Sequence, residues 1–173
     1  MKVLFKISVL IILVALILSA CLKSDNLNSS EGYTPQRELT SIQHWIDSVN
    51  ALNLNIDTTS TGILYIPGKV GTGPKVKAED VVTVKYTGRL LDGTIFDASS
   101  WHSEAGTMTY LHKAPTDASK TLIQGWEEGI EVLSKGGSAT FLIPSNKGYG
   151  SKGSGSIPPY TSLIFVIEVI NIK

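Results

Sequence analysis

Gln124-Gly125-Trp126-Glu127-Glu128-Gly129-Ile130 sets one large indole between two glycines and follows it with an acidic pair. The run is too short to persist as an isolated helix. It makes sense as one or two helical turns packed on a sheet, with Trp126 as the apolar surface between them. Gly125 allows close backbone approach at the helix entry, and Gly129 costs helix propensity, so both point to tight packing. Read alone, Trp126 is a core aromatic. Glu127 and Glu128 are neighbours and point to different helix faces. They read as solvated first-turn acids that favour the helix dipole, not as a catalytic pair.

Extended segments lie on both sides of this run. Ile63 to Ile66 forms a strand ending at Pro67-Gly68, and the Gly-, Pro- and Lys-rich stretch Lys69 to Asp80 reads as a loop. Val82, Val84 and Tyr86 alternate with Thr83, Lys85 and Thr87, which predicts a long strand over Val81 to Leu91 with Tyr86 on its apolar side. Leu91-Asp92-Gly93-Thr94 is a hairpin-type turn. Ile95-Phe96-Asp97 resumes extended structure, and Thr107 to Leu111 is a short strand carrying Met108 and Tyr110 on one side. After the central run, Ser138 to Ile143 places Ala139, Phe141 and Ile143 on one face, and Pro144 to Tyr160 is a loop rich in Gly, Ser and Pro. The closing strand, Leu163 to Ile172, is apolar on both faces, with Leu163, Phe165, Ile167 and Val169 opposing Ile164, Val166 and Ile170. A sheet with one solvated face alternates cleanly, so the second set needs a cover.

The cover is sought in Tyr33 to Asn50. Thr34 can cap a helix there, Pro35 suits its first position, and Glu38 adds a capping-box-like acid. Leu39, Ile42, Ile46 and Val49 recur on one helix face, with Trp45 beside them. This stripe packs on the main domain or on a partner. Strands around one short helix, with a helical extension in front, define an α+β chain.

The remaining N-terminal residues are of another kind. Lys2 and Lys6 precede a nearly aliphatic run from Ile7 to Leu18, and Leu18-Ser19-Ala20-Cys21 closes it with small residues. This resembles the lipobox of bacterial lipoprotein signal peptides. The resemblance implies cleavage after residue 20, lipid on Cys21, and a stable membrane anchor of two or three acyl chains. Cys21 is the single cysteine of the 173 residues, so a lipidated chain keeps no thiol for a disulfide, a metal or a nucleophile. Residues 21–34 read as a flexible tether, 35–56 as the helical extension and 57–173 as the main domain. Leu22 stands where an aspartate would signal inner-membrane retention. The expected location is therefore the bacterial envelope, with the outer membrane facing the periplasm favoured.

Charge is balanced at 15 basic and 15 acidic residues, which gives no nucleic-acid footprint. His44, His102 and His112 are scattered without metal-ligand spacing and read as surface or loop histidines. Gly148 to Gly155 lacks the ending of a phosphate-binding loop. What recurs is aromatic residues near turns, namely Tyr86, Phe96, Tyr110, Trp126, Tyr149 and Phe165, beside Asp97, Ile123 and Ile157. Such a set can line an apolar pocket with a few polar tips.

Five blocks in order carry a resemblance. They are Val84-Lys85-Tyr86-Thr87-Gly88, Leu91 to Ser99, Ile123 to Gly129, Tyr149-Gly150, and Ile157 to Glu168. Together they are similar to the FKBP-type peptidyl-prolyl cis-trans isomerases over Gly62 to Lys173. The resemblance implies a bent antiparallel sheet wrapped across one short helix, with the pocket between them. It makes Trp126 the pocket floor, Tyr86, Phe96 and Phe165 its walls, and Ile157 its rim. By the same resemblance Ile123 offers its backbone N–H to a ligand carbonyl and Leu122 is its apolar neighbour. Asp97 is the carboxylate beside the pocket, and Tyr149 is the phenol that hydrogen-bonds substrate. Met108 stands where a phenylalanine is usual, a softer wall beside Tyr110. The implied activity is isomerisation of X–Pro bonds in exported proteins, with no cofactor and no metal. The competing reading is a non-catalytic polypeptide-binding or scaffolding lipoprotein on the same fold.

Beyond Met108, the chain departs from the family in three places. The loop after Asp97 lacks the usual arginine partner and offers Ser100, Trp101, His102 and Ser103 instead. The segment Leu111 to Leu122 is longer than in the minimal domain and is expected beside the pocket. Gly and Ser in the Gly148 to Ser156 loop predict a looser rim.

Overall fold

The computed structural model describes residues 32–113 and 122–173. The expected signal segment, Cys21, most of the expected tether and residues 114–121 lie outside the described residues.

Helix α1 spans Pro35–Ala51, and the strands are β1 (Asp57–Thr58), β2 (Leu64–Pro67), β3 (Thr72–Lys75), β4 (Val81–Leu90), β5 (Ile95–Ala98) and β6 (Met108–Leu111). The short helix α2 (Gln124–Gly129) follows, continued by a 3-10 turn at Ile130–Val132, then β7 (Ser134–Lys135), β8 (Ser138–Ile143) and β9 (Leu163–Ile172). Among the described residues one antiparallel sheet runs β1-β2-β8-β9-β4-β5, with β6 also on β4, and β3 pairs with β7 apart from it. The β1, β3 and β7 pairings lie in segments whose Asn, Gly, Pro and Lys content reads as loop. They form because each needs only a few partner carbonyls, as in Thr72 opposite Lys135.

β4 is the organising strand. Its whole length pairs with β9, from Val82 opposite Ile172 to Leu90 opposite Leu163. Its other edge is shared, with Val81 to Val84 on β6 and Thr87 to Arg89 on β5. Side chains alternate as the pattern requires: Val82, Val84 and Tyr86 join Phe141, Ile143, Leu163, Phe165, Ile167 and Val169 on one face, and α2 lays Trp126 and Ile130 on them. Contact is close because Gly125 has no Cβ, and one added there would collide with the Ile143 side chain.

The opposite face has its own apolar cluster, in which Trp45 and Val49 of α1 meet Ile66, Leu142 and Ile164, flanked by Ile42 and Ile46. Ile164 of the second β9 set is thus covered, whereas Val166 and Ile170 stay half-buried. Of the two readings of the stripe, packing on the main domain is the one observed. Ile42, Ile46 and Val49 are used by the chain's own sheet, and of the four only Leu39 is exposed, at 59%. Trp45 points inward because the buried arc of α1 is centred one position from the stripe read off the spacing.

Thr34 caps α1 as expected, its hydroxyl accepting from the Arg37 N–H. Glu38 does not close a capping box. Its carboxylate accepts from the Ser145 N–H and hydroxyl and from the Ser162 hydroxyl, each at 2.6 Å. One side chain of α1 thereby holds both ends of the loop between β8 and β9.

Trp45→Ala should cost about 3–5 kcal/mol, the usual range for deleting a buried aromatic, while Leu39→Ser should stay within about 0.5 kcal/mol. Equilibrium urea denaturation of the two variants checks both. Equal destabilisation would mean that α1 is not docked as described.

Candidate functional site

The aromatic set converges where α2 crosses the sheet. Trp126 meets Tyr86 edge-on at 5.1 Å between ring centroids and Phe165 edge-on at 5.2 Å. Phe165 in turn meets Phe96 at 5.4 Å and 88°. Such perpendicular contacts are the geometry that ring quadrupoles favour. Phe96 and Phe165 can approach because Gly88 of β4 lies under both. A Cβ there would sit 2.7 Å from the Phe96 ring and 2.8 Å from the Phe165 ring. The Trp126 indole N–H donates to the Tyr110 hydroxyl at 2.9 Å, so β6 fixes the indole's orientation.

Exposure sorts these residues. Trp126 is only 3% exposed and Phe165 5%, so both are core, while Phe96 is half-buried and Tyr149 is 37% exposed. Ile157 is buried in the same cluster, and Met108, Leu122 and Ile123 are partly buried against it. Ile123 caps α2, and its carbonyl accepts from the Trp126 and Glu127 N–H groups. No acceptor among the described residues takes the Ile123 N–H.

Polar groups gather on one side. The Tyr86 hydroxyl donates to Asp97 Oδ2 at 2.7 Å, and His102 Nε2 lies 2.6 Å from Asp97 Oδ1. The sequence leaves open which residue of the loop partners Asp97; in the structure it is His102. The loop that presents it is pinned: buried Ser99 donates to the Gly106 carbonyl and accepts from the Tyr86 N–H, and the Ser103 hydroxyl bonds Thr107 at both carbonyl and N–H. Burial first, then the bond to Asp97 and its charge, push the Tyr86 phenol well above its ordinary value. Burial and the Asp97 charge also raise Tyr149. Burial raises Tyr110, and the nearby Glu127 charge adds to it, against the indole bond that lowers it. All three phenols therefore stay neutral donors around neutral pH.

The rim is not loose. The Gly150 N–H donates to the Ser145 carbonyl, the Tyr160 N–H to the Gly150 carbonyl, and Ser154 and Ile157 exchange backbone bonds. The small residues of this loop fold it on itself instead of freeing it. Lys147 is tied to Glu128 of α2. Burial works to raise the Glu128 carboxyl, but bonds from Lys147, Gln124 and Thr61 and the Lys147 charge hold it below the ordinary carboxylate value.

Two readings of single residues are corrected. His112 is fully buried, not a surface or loop histidine, with Nδ1 2.6 Å from Glu127 and Nε2 3.2 Å from Glu131. Glu127 is itself buried, so it is no solvated first-turn acid. A histidine just past β6, one carboxylate on α2 and another on the 3-10 turn after it find each other only through the tertiary fold, and spacing along the chain carries no signal for it.

Residues 73–170 match the model of the FKBP-type peptidyl-prolyl cis-trans isomerases. A probable FKBP-type peptidyl-prolyl cis-trans isomerase FkpA of Neisseria meningitidis serogroup B is 39% identical over 71% of this chain and 42% of its own length. The FkpA of Aeromonas hydrophila is 37% identical over 73% of this chain and 44% of its own. Among solved structures, a peptidyl-prolyl cis-trans isomerase from Pseudomonas syringae superposes with a TM-score of 0.66 at 29% identity, covering 83% of this chain and 99% of that one. The Escherichia coli FkpA structure gives 0.60 at 26% identity, covering 93% and 80%. The chain spans less than half the length of these Neisseria and Aeromonas relatives. On the family match and this identity, the chain belongs to the FKBP-type peptidyl-prolyl cis-trans isomerases.

Proposed function

We propose that this chain catalyses cis-trans isomerisation of X–Pro bonds in unfolded or folding exported polypeptides. The observation that supports it is the meeting of Trp126, Tyr86, Phe96 and Phe165 at one site with a carboxylate, Asp97, bonded at its edge. Rotation about a peptide bond must overcome about 18–20 kcal/mol of lost amide resonance. For X–Pro the two isomers are close in energy but exchange in tens to hundreds of seconds. No bond breaks, so neither a nucleophile nor a leaving-group acid has a role. The twisted amide is less dipolar than the planar one, and an apolar pocket favours it. Each ~1.4 kcal/mol of such preference gives tenfold in rate.

In this reading the prolyl ring sits against Trp126 between Tyr86, Phe96 and Phe165, with Met108, Tyr110, Leu122 and Ile157 around it. The Ile123 N–H and the Tyr149 hydroxyl donate to substrate carbonyls. Asp97 orients Tyr86 and sets the charge at the pocket edge.

We further infer that Cys21 carries the lipid that holds the chain in the bacterial envelope, on the outer membrane in preference to the inner. Residues 21–34 act as tether, 35–56 as a helical extension and 57–173 as the isomerase domain. The support is the sequence from Lys2 to Cys21.

The full-length chain in detergent micelles should accelerate X–Pro exchange in a short peptide, read by exchange NMR. Asp97→Val and Phe96→Ala should each lower kcat/KM tenfold or more while the circular dichroism stays unchanged. Gly88→Ala should act likewise by driving Phe96 and Phe165 apart, at about 1–3 kcal/mol of stability. A wild-type chain no faster than buffer would leave the non-catalytic binding reading instead. For the anchor, Cys21→Ser should move the chain from the membrane fraction to the soluble or unprocessed fraction, and mass spectrometry of the wild type should find acyl chains on residue 21.

A further inference from the structure

We propose that His102 is a positioning residue that makes the site's activity depend on protonation. The proposal rests on the isomerase reading above. Asp97 is held at both oxygens, by the Tyr86 hydroxyl at 2.7 Å and by His102 Nε2 at 2.6 Å. The second distance is shorter than the roughly 2.7–2.9 Å of ordinary charge-assisted N–H···O bonds, so ring and carboxylate are in direct contact. Histidine is the side chain whose charge ordinarily changes between pH 5 and 8.

With the imidazolium present, the His102–Asp97 pair is neutral overall and the carboxylate stays aimed at Tyr86. With the ring neutral, two cases arise. A proton on Nε2 keeps a weaker bond; a proton on Nδ1 turns the Nε2 lone pair towards a carboxylate oxygen. The His102 side chain is 59% exposed, so it is free to swing into water in the second case. Asp97 then carries an uncompensated charge beside Phe96, holds water at the pocket edge, and works against the less dipolar amide. The groups facing this pair are Tyr86 from β4 and Tyr149 from the β8–β9 loop, both neutral phenols. Glu104 follows two residues later on His102's own loop. Among the described residues no lysine or arginine is recorded in an ion pair with Asp97, and His102 is the basic side chain in contact with it.

The test follows isomerisation of an X–Pro tetrapeptide by exchange NMR from pH 5.5 to 8.5. It compares the full-length wild type in detergent micelles with His102→Arg and His102→Gln. Wild-type kcat/KM should fall about 3- to 10-fold as pH rises. His102→Arg should be flat near the wild-type acidic value, which a merely structural histidine would not give, and His102→Gln should be flat near the alkaline one. An active wild type with a flat profile, or a fall that persists in His102→Gln, overturns the role of His102 and leaves the isomerase reading intact. Undetectable turnover at every pH overturns the isomerase reading instead. Peptide affinity measured by calorimetry then judges His102. A pH dependence lost in His102→Gln sustains its hold on Asp97, and pH-independent binding overturns it.

Discussion

Burial along β9, of Leu163 to Val169 on one face and of Ile164 on the other, is the constraint on which the rest of this molecule depends. Ten residues in the middle of the sheet carry Leu163, Phe165, Ile167 and Val169 on one side and Ile164 on the other, all of them buried. A strand buried on two faces needs a layer on each. The short helix α2 supplies one layer through Trp126 and Ile130, and α1 supplies the other through Trp45 and Val49. The proposed pocket wall is therefore also core: Phe165 belongs to β9, and three aromatic rings meet it. The site gains rigidity from this arrangement, since side chains locked by packing hold a geometry better than side chains on a mobile surface.

Strands and the aromatic cluster were legible in the sequence because they follow local rules. Alternation along Val82, Val84 and Tyr86 places Tyr86 inward by periodicity alone. The glycine on either side of Trp126 signals a close crossing before any partner is known. What stayed illegible depends on residues far apart. β3 is a loop by composition and pairs with β7 at a distance of some sixty residues, as the Ser134 hydroxyl bond to the Gly73 carbonyl shows. His112 reads as a loop histidine and is buried against Glu127 and Glu131. Glu38 reads as a capping acid and is spent across the domain. Polar residues carry no periodic mark of where their partners lie, so each of these escaped.

The loop after Asp97 lies between these cases. Its sequence excluded an arginine partner and narrowed the candidates to a few side chains, His102 among them. Selecting one took the pinning of the turn by Ser99 and Ser103, which decides what points at the carboxylate. Local polar bonding of this kind is strong enough to hold a loop but too varied in form to be read from residue type.

The Glu38 clamp has a consequence in time. Its partners Ser145 and Ser162 stand 107 and 124 residues further along the chain. Contacts of such separation form late, because the entropy of closing the intervening chain must be met first. The loop bearing Tyr149 and Ile157 therefore takes its anchorage on α1 late in folding, after the strands on either side of it have paired. A chain whose local helices and turns are already formed still lacks the final placement of these two side chains.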